Sequence, residues 1–80
     1  MEWVMQRYFF NIKRGDQVIA DEEGIHLPNL DAVRKEARAS AEEILSQEIL
    51  EGDLPKDQSF VVRDESGQIV LTLNFGVLLS

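Results

Sequence analysis

Residues 59–75 read Ser59-Phe60-Val61-Val62-Arg63-Asp64-Glu65-Ser66-Gly67-Gln68-Ile69-Val70-Leu71-Thr72-Leu73-Asn74-Phe75. On both sides of Asp64–Gly67 apolar residues recur at every second position, the period of a strand with one buried face. Phe60 and Val62 share a face of the first run. Ile69, Leu71, Leu73 and Phe75 share a face of the second, with Val70, Thr72 and Asn74 opposite. Gly67 supplies the left-handed backbone position that a tight connection needs, so the stretch is a β-hairpin.

Upstream of it lies a helix. Asn29 is a good N-cap, because its side-chain oxygen can accept from a free amide of the first turn, and Asp31 sits near the positive end of the helix dipole. Residues from Leu30 to about Glu51 are all helix-compatible, and Gly52 is placed to close the helix. At 100° per residue Leu30, Val33, Ala37, Ala41 and Ile44 form one stripe, with Leu45 beside it. The stripe drifts at its end. Glu48 returns to the buried azimuth, while Ile49 lies to the side and Leu50 opposite. Three readings stay open there: a bend, a last turn touching something other than the sheet, or a frayed terminus.

Before the helix, Gln6–Lys13 is a strand with Tyr8, Phe10 and Ile12 on one face. Gly15 allows a tight turn into a short return strand at Val18–Ala20. Asp21-Glu22-Glu23-Gly24 breaks the pattern, and Ile25-His26-Leu27-Pro28 leads to the helix. The order is therefore ββαββ. The expected fold is α+β: a four-stranded, mainly antiparallel sheet with one helix packed on one face and a right-handed crossover through the helix. Strand order 2-1-3-4 keeps all neighbours antiparallel. The expected core is Tyr8, Phe10, Ile12, Leu30, Val33, Ala37, Ile44, Phe60, Val62, Ile69, Leu71, Leu73 and Phe75.

That packing leaves a second sheet face carrying Arg7, Phe9, Asn11, Val61, Arg63, Val70 and Thr72. The tail Val77-Leu78-Leu79, too apolar to be left in water without cost, or Trp3 from the other end, is one candidate cover. A docking partner is the other.

Eighty residues suffice for one domain and not for two. A chain of this size buries only roughly 60–65% of its unfolded surface, which favours self-association. There is no cysteine, so no disulfide framework, zinc finger or thiol nucleophile is available, and a reducing, cytoplasmic setting fits best. Nothing at the N-terminus reads as a signal peptide, and no apolar run approaches the roughly 20 residues that span a bilayer. Fifteen acidic against eight basic residues give a net charge of −7. Lys13-Arg14 is a small cluster, and Arg34, Lys35 and Arg38 are interleaved with acids, so neither nucleic acid nor a membrane is expected as a partner.

Catalytic equipment is sparse. His26 is the only histidine, no serine sits in a Gly-x-Ser-x-Gly elbow, and the glycines are scattered through turns and caps. Asp21-Glu22-Glu23 is the best metal candidate, but consecutive acids do not converge on one ion, and a solvated turn is the stronger reading. No catalytic residue, cofactor site or metal site is assigned.

Three segments together form a recognisable pattern: Met5-x-Arg7-Tyr8-Phe9-Phe10-x-Ile12; Asp21-Glu22-Glu23-Gly24 with Leu27-Pro28-Asn29-Leu30-Asp31-Ala32-Val33-Arg34 and Glu36-Ala37; and Val62-x-Asp64-Glu65-x-Gly67-x-Ile69-Val70-Leu71-Thr72-Leu73-x-Phe75. The chain resembles the small bacterial proteins of domain-of-unknown-function family 6894, which often carry an acid where this chain has Asn29. The resemblance implies a stand-alone cytosolic bacterial protein of unknown activity and brings no catalytic residues. It also implies that Met5 is the usual start, with residues 1–4 an N-terminal extension and residues 5–80 a single domain. A looser similarity links the acid-Gly and Leu-Pro steps to antitoxins of small RNA-cleaving toxins, whose sheet precedes their helix. The leading expectation is a non-enzymatic interaction module that self-associates or binds another protein through Phe9, Val61, Arg63, Val70, Thr72, Val77, Leu78 and Leu79. The alternatives are an antitoxin-like acidic partner of a basic toxin and a small-ligand enzyme.

Overall fold

Gln6–Arg14, rich in aromatic and β-branched residues, forms β1, the longest strand and the one on which the sheet is organised. The computed structural model describes residues 4–52 and 57–79. After β1 come β2 (Gln17–Ile19), β3 (Ile25–Leu27), α1 (Leu30–Leu50), β4 (Gln58–Arg63), β5 (Ile69–Asn74) and a closing 3-10 turn, Phe75–Leu79. The sheet order is β2-β1-β4-β5 with all pairs antiparallel, and β3 also pairs with β1. The α+β fold with one helix on an antiparallel sheet is as the alternation implied. Trp3 and the Pro55 connection fall outside the described residues.

The expectation of four strands is corrected to five, because Ile25-His26-Leu27 pairs with Gln6–Tyr8. β1 outruns β2, so its first half needs a second partner to satisfy its backbone groups. On that edge Phe10 lies between the two registers, Tyr8↔Ile25 and Ile12↔Ile19, where neither β2 nor β3 reaches. There Asp21 takes the place of a strand. Its Oδ2 accepts from the Phe10 N–H at 3.1 Å, its Oδ1 from the Gly24 N–H at 3.1 Å, and its own N–H donates to Asn11 Oδ1 at 2.9 Å. Gly24 completes the step with φ +73°. A Cβ there would stand 2.7 Å from Arg7 Cγ and 3.0 Å from the Tyr8 carbonyl oxygen, so the position requires glycine twice over. On the other side of β1, beyond the end of β4, Glu65 Oε1 accepts from the Arg7 N–H at 3.1 Å.

The helix begins where Asn29 Oδ1 accepts from the Ala32 N–H at 2.8 Å and ends at Gly52, whose φ is +85°. Its buried row is Val33, Ala37, Ala41 and Leu45. The fully buried alanines bring the helix backbone close to the sheet. Leu30 departs from expectation at 44% exposed; a correct azimuth does not bury a side chain in the first turn, at the free end of the helix. Ile44 is half-buried while Leu45 enters the core.

The drift at the helix end has a definite cause. Glu48 faces inward because the buried Gln58 donates to both of its carboxylate oxygens, at 3.0 and 2.9 Å. Gln58 in turn accepts from Arg14 Nε at 3.1 Å. This polar cluster ties α1 to the ends of β1 and β4, and Leu50 beyond it is left 87% exposed.

The second correction lies in β5. Its register runs Phe60↔Leu73, Val61↔Thr72 and Val62↔Leu71, then slips so that Arg63 opposes Ile69. Val70 is the extra residue of a β-bulge and packs against the core. Ile69, expected in the core, is 49% exposed. With a side-chain period of two, one inserted residue exchanges the faces of everything beyond it. The core therefore consists of Tyr8, Phe10, Val33, Ala37, Ala41, Leu45, Phe60, Val62 and Phe75. Phe10 meets Phe60 edge-on at 5.9 Å, and Phe60 meets Phe75 at 5.0 Å. Ile12, Leu71 and Leu73 are half-buried around it. No helix among the described residues is long and apolar enough to cross a membrane.

Candidate functional site

The side of the sheet away from the helix follows rung by rung from the registers, since directly opposed residues share a face. One rung runs Val18–Lys13–Ser59–Asn74 and the next Asn11–Val61–Thr72. A third runs Phe9–Arg63–Ile69, and His26 lies opposite Arg7 at the far end. Asn11, Lys13, Val18, Val61, Arg63 and Ile69 line a shallow depression of about 270 Å³.

Two of these side chains are held in place. Arg63 Nη1 donates to the Gly67 carbonyl at 2.7 Å, anchoring the guanidinium on the β4–β5 turn. Asn11 is fixed by the Asp21 N–H. The turn that anchors Arg63 is itself stiff, because Asp64 Oδ1 accepts from Ser66 Oγ at 2.6 Å, Ser66 N at 2.9 Å and Gln68 N at 3.0 Å. The Ser66 hydroxyl foremost, then the Gln68 amide, hold the Asp64 carboxyl below the ordinary carboxylate range. That shift belongs to turn structure rather than to a reacting group.

Charge is segregated on this surface. Its strand positions carry Arg7, Lys13 and Arg63 and no acid, in a chain of net charge −7. The acids of the described residues sit instead in turns, in the β2–β3 connection and on the helix.

Of the residues expected on the docking surface, Phe9, Val61, Arg63 and Thr72 are together on this face. Val70 is not, because the bulge directs it toward the core. Val77, Leu78 and Leu79 are not either. The closing 3-10 turn packs against α1 and β4 on the helix side, where Leu78 and Leu79 join Leu45 and Ile49 around another hollow. The tail is thus a cap on the end of the core and no cover for the open face. Lys13, Val18 and Ile69 were missing from the expected surface. Lys13 follows from the alternation of β1, and Val18 from the register of the first hairpin. Only the bulge brings in Ile69. The Asp21-Glu22-Glu23 run is resolved too: Asp21 is a backbone staple, while Glu22 and Glu23 are exposed.

An antiparallel sheet built around β1, with acidic side chains filling the gaps in its ladder and a single covering helix, defines a small two-layer α+β class. The family model described as Domain of unknown function (DUF6894) matches residues 7–76, and the chain belongs to that family. Neither a curated protein nor a solved structure matches it.

Proposed function

We propose that this chain is a non-enzymatic protein-interaction module of the bacterial cytoplasm that works as a homo-oligomer and presents the open sheet face to a protein partner. The observation that carries this reading is the face itself: Phe9, Val18, Val61 and Ile69 among fixed polar groups, with the helix and the tail both on the other side. The absence of cysteine suits a reducing compartment. The small core favours gaining buried area from a second chain. His26 makes no hydrogen bond to a serine or carboxylate among the described residues, which favours binding over catalysis. The cations on the face suit an acidic partner and give no support to an acidic docking surface for a basic toxin there.

Light scattering on the full chain at high micromolar concentration tests the oligomer, and a strict monomer refutes it. A double variant at exposed face positions, Val18→Asp with Lys13→Glu, tests the face. The expected result is loss of specific partners recovered from the native host with the helix content unchanged. Retention of every partner refutes the role of the face.

A further inference from the structure

We propose that β5 is the seam of the homo-oligomer: a second copy adds its own β5 antiparallel across a two-fold axis, joining two sheets into one. The inference rests on the self-association read above and names the surface responsible for it.

Every open sheet ends in rows of backbone N–H and C=O groups able to pair with another chain, and soluble proteins guard such edges with short strands, charges, bulges or proline. The two edges of this sheet differ in that respect. One consists of β2 and β3, three residues each, separated by the Asp21 staple. The other is β5, six residues long, which among the described residues has β4 on one side only. Its sequence, Ile69-Val70-Leu71-Thr72-Leu73-Asn74, has no charge, proline or glycine. The single bulge lies at its start and leaves Leu71–Asn74 regular.

The core also runs out to this edge. Leu71 and Leu73 are half-buried and line a hollow of about 220 Å³ beneath Arg34 and Arg38 of the helix. A strand added to β5 extends the apolar layer under α1 with its own inward side chains. Strand addition of this kind draws affinity from main-chain hydrogen bonds and specificity from alternate side chains.

Charge selects the occupant and the place. Face-to-face stacking of two open faces sets Arg7, Lys13 and Arg63 against their own counterparts with no strand acid between them. Pairing β5 with itself opposes no charged strand residue, and of the two helix cations above that edge Arg38 is paired with Glu42. In the register centred on Thr72, Leu71 meets the second copy's Leu73 on the helix side, and Thr72 meets its own counterpart on the open face. An isologous contact of this kind closes as a dimer.

The experiment uses the full chain by light scattering at high micromolar concentration. Thr72 is exposed, so Thr72→Lys guards the edge by setting two lysines against each other across the seam. The expected result is a dimeric parent, a monomeric Thr72→Lys variant with unchanged circular dichroism, and a Lys13→Glu variant that stays dimeric. Because the chain has no cysteine, Thr72→Cys gives a second readout. It cross-links into a covalent dimer under a mild oxidant such as diamide, while Val18→Cys on the opposite edge does not. A monomeric parent overturns both this proposal and the self-association it rests on. A dimeric parent with a dimeric Thr72→Lys variant and no Thr72→Cys cross-link overturns the seam alone. If Thr72→Lys fails to fold, the cross-linking pair decides.

Discussion

Replacing Asp21 with alanine removes the acceptor that bridges the gap between β2 and β3. The Phe10 N–H then has no partner, and Phe10 is only 8% exposed. Leaving a buried amide unsatisfied costs about 1–3 kcal/mol. The Gly24 N–H loses its partner as well but lies nearer solvent, so water recovers part of that bond and the loss there is about 0.5–1.5 kcal/mol. The sum is about 1.5–4.5 kcal/mol, against a total of roughly 4–12 kcal/mol for a domain of this length. Asp21→Asn keeps one acceptor oxygen and presents an NH₂ to the other amide, so its cost falls between the parent and alanine. Urea denaturation followed by circular dichroism measures this as a drop in midpoint at constant slope. Glu22→Ala and Glu23→Ala are the controls, because both side chains are exposed, and each is expected to change stability by less than about 0.5 kcal/mol. If Asp21→Ala is no worse than Glu22→Ala, the acidic run is a solvated turn after all and the staple is refuted.

Three further outcomes follow from the same geometry. Gly24→Ala is expected to destabilise well beyond Gly15→Ala in a thermal melt: both have positive φ, at about 1–2 kcal/mol for an L residue, but only the Gly24 Cβ collides with the chain while Gly15 faces open space. Equal losses would show that the close approach to Arg7 and Tyr8 is absent. Val70→Asp is expected to cost more than Ile69→Asp, by about 1–3 kcal/mol, because the bulge packs Val70 on the core and exposes Ile69. The reverse order in denaturant midpoints would restore simple alternation. Asp64 is held below its ordinary pKa in the folded chain, so its contribution is complete above the unfolded value of about 4 and vanishes as pH falls through the lower folded value. Melting temperatures of the parent and Asp64→Asn are therefore expected to converge below that window, and a gap unchanged down to strongly acid pH would refute the turn bonds as its source.

Much of the candidate site is legible in the sequence. Arg7, Phe9, Asn11 and Lys13 share a face because a strand alternates, whatever surrounds it. Val61 and Arg63 follow by the same rule, and they do stand beside Phe9 and Asn11. Ile69 and Val70 were legible only wrongly, since both are large and apolar and neither residue type announces a bulge. The position of the tail was equally hidden: Val77-Leu78-Leu79 is apolar enough to pack somewhere, but which side receives it depends on where Phe75 is buried.

Local physics thus determined the elements themselves. The helix from Asn29 to Gly52, the two hairpins around Gly15 and Gly67 and the antiparallel class all follow from short-range periodicity, capping chemistry and positive-φ glycines, whose causes lie within a few residues of their effects. Tertiary structure decided what depends on residues far apart in the chain. The need to satisfy β1's unpaired backbone recruited Ile25–Leu27 as a fifth strand and turned Asp21 and Glu65 into ladder acceptors, the latter 58 residues from its donor. The buried Gln58 drew Glu48 inward, and the slip opposite Arg63 set which apolar side chains reach the open face. Hydrogen-bond completion and cross-strand register are properties of the assembled sheet, which the periodicity of a single element does not report.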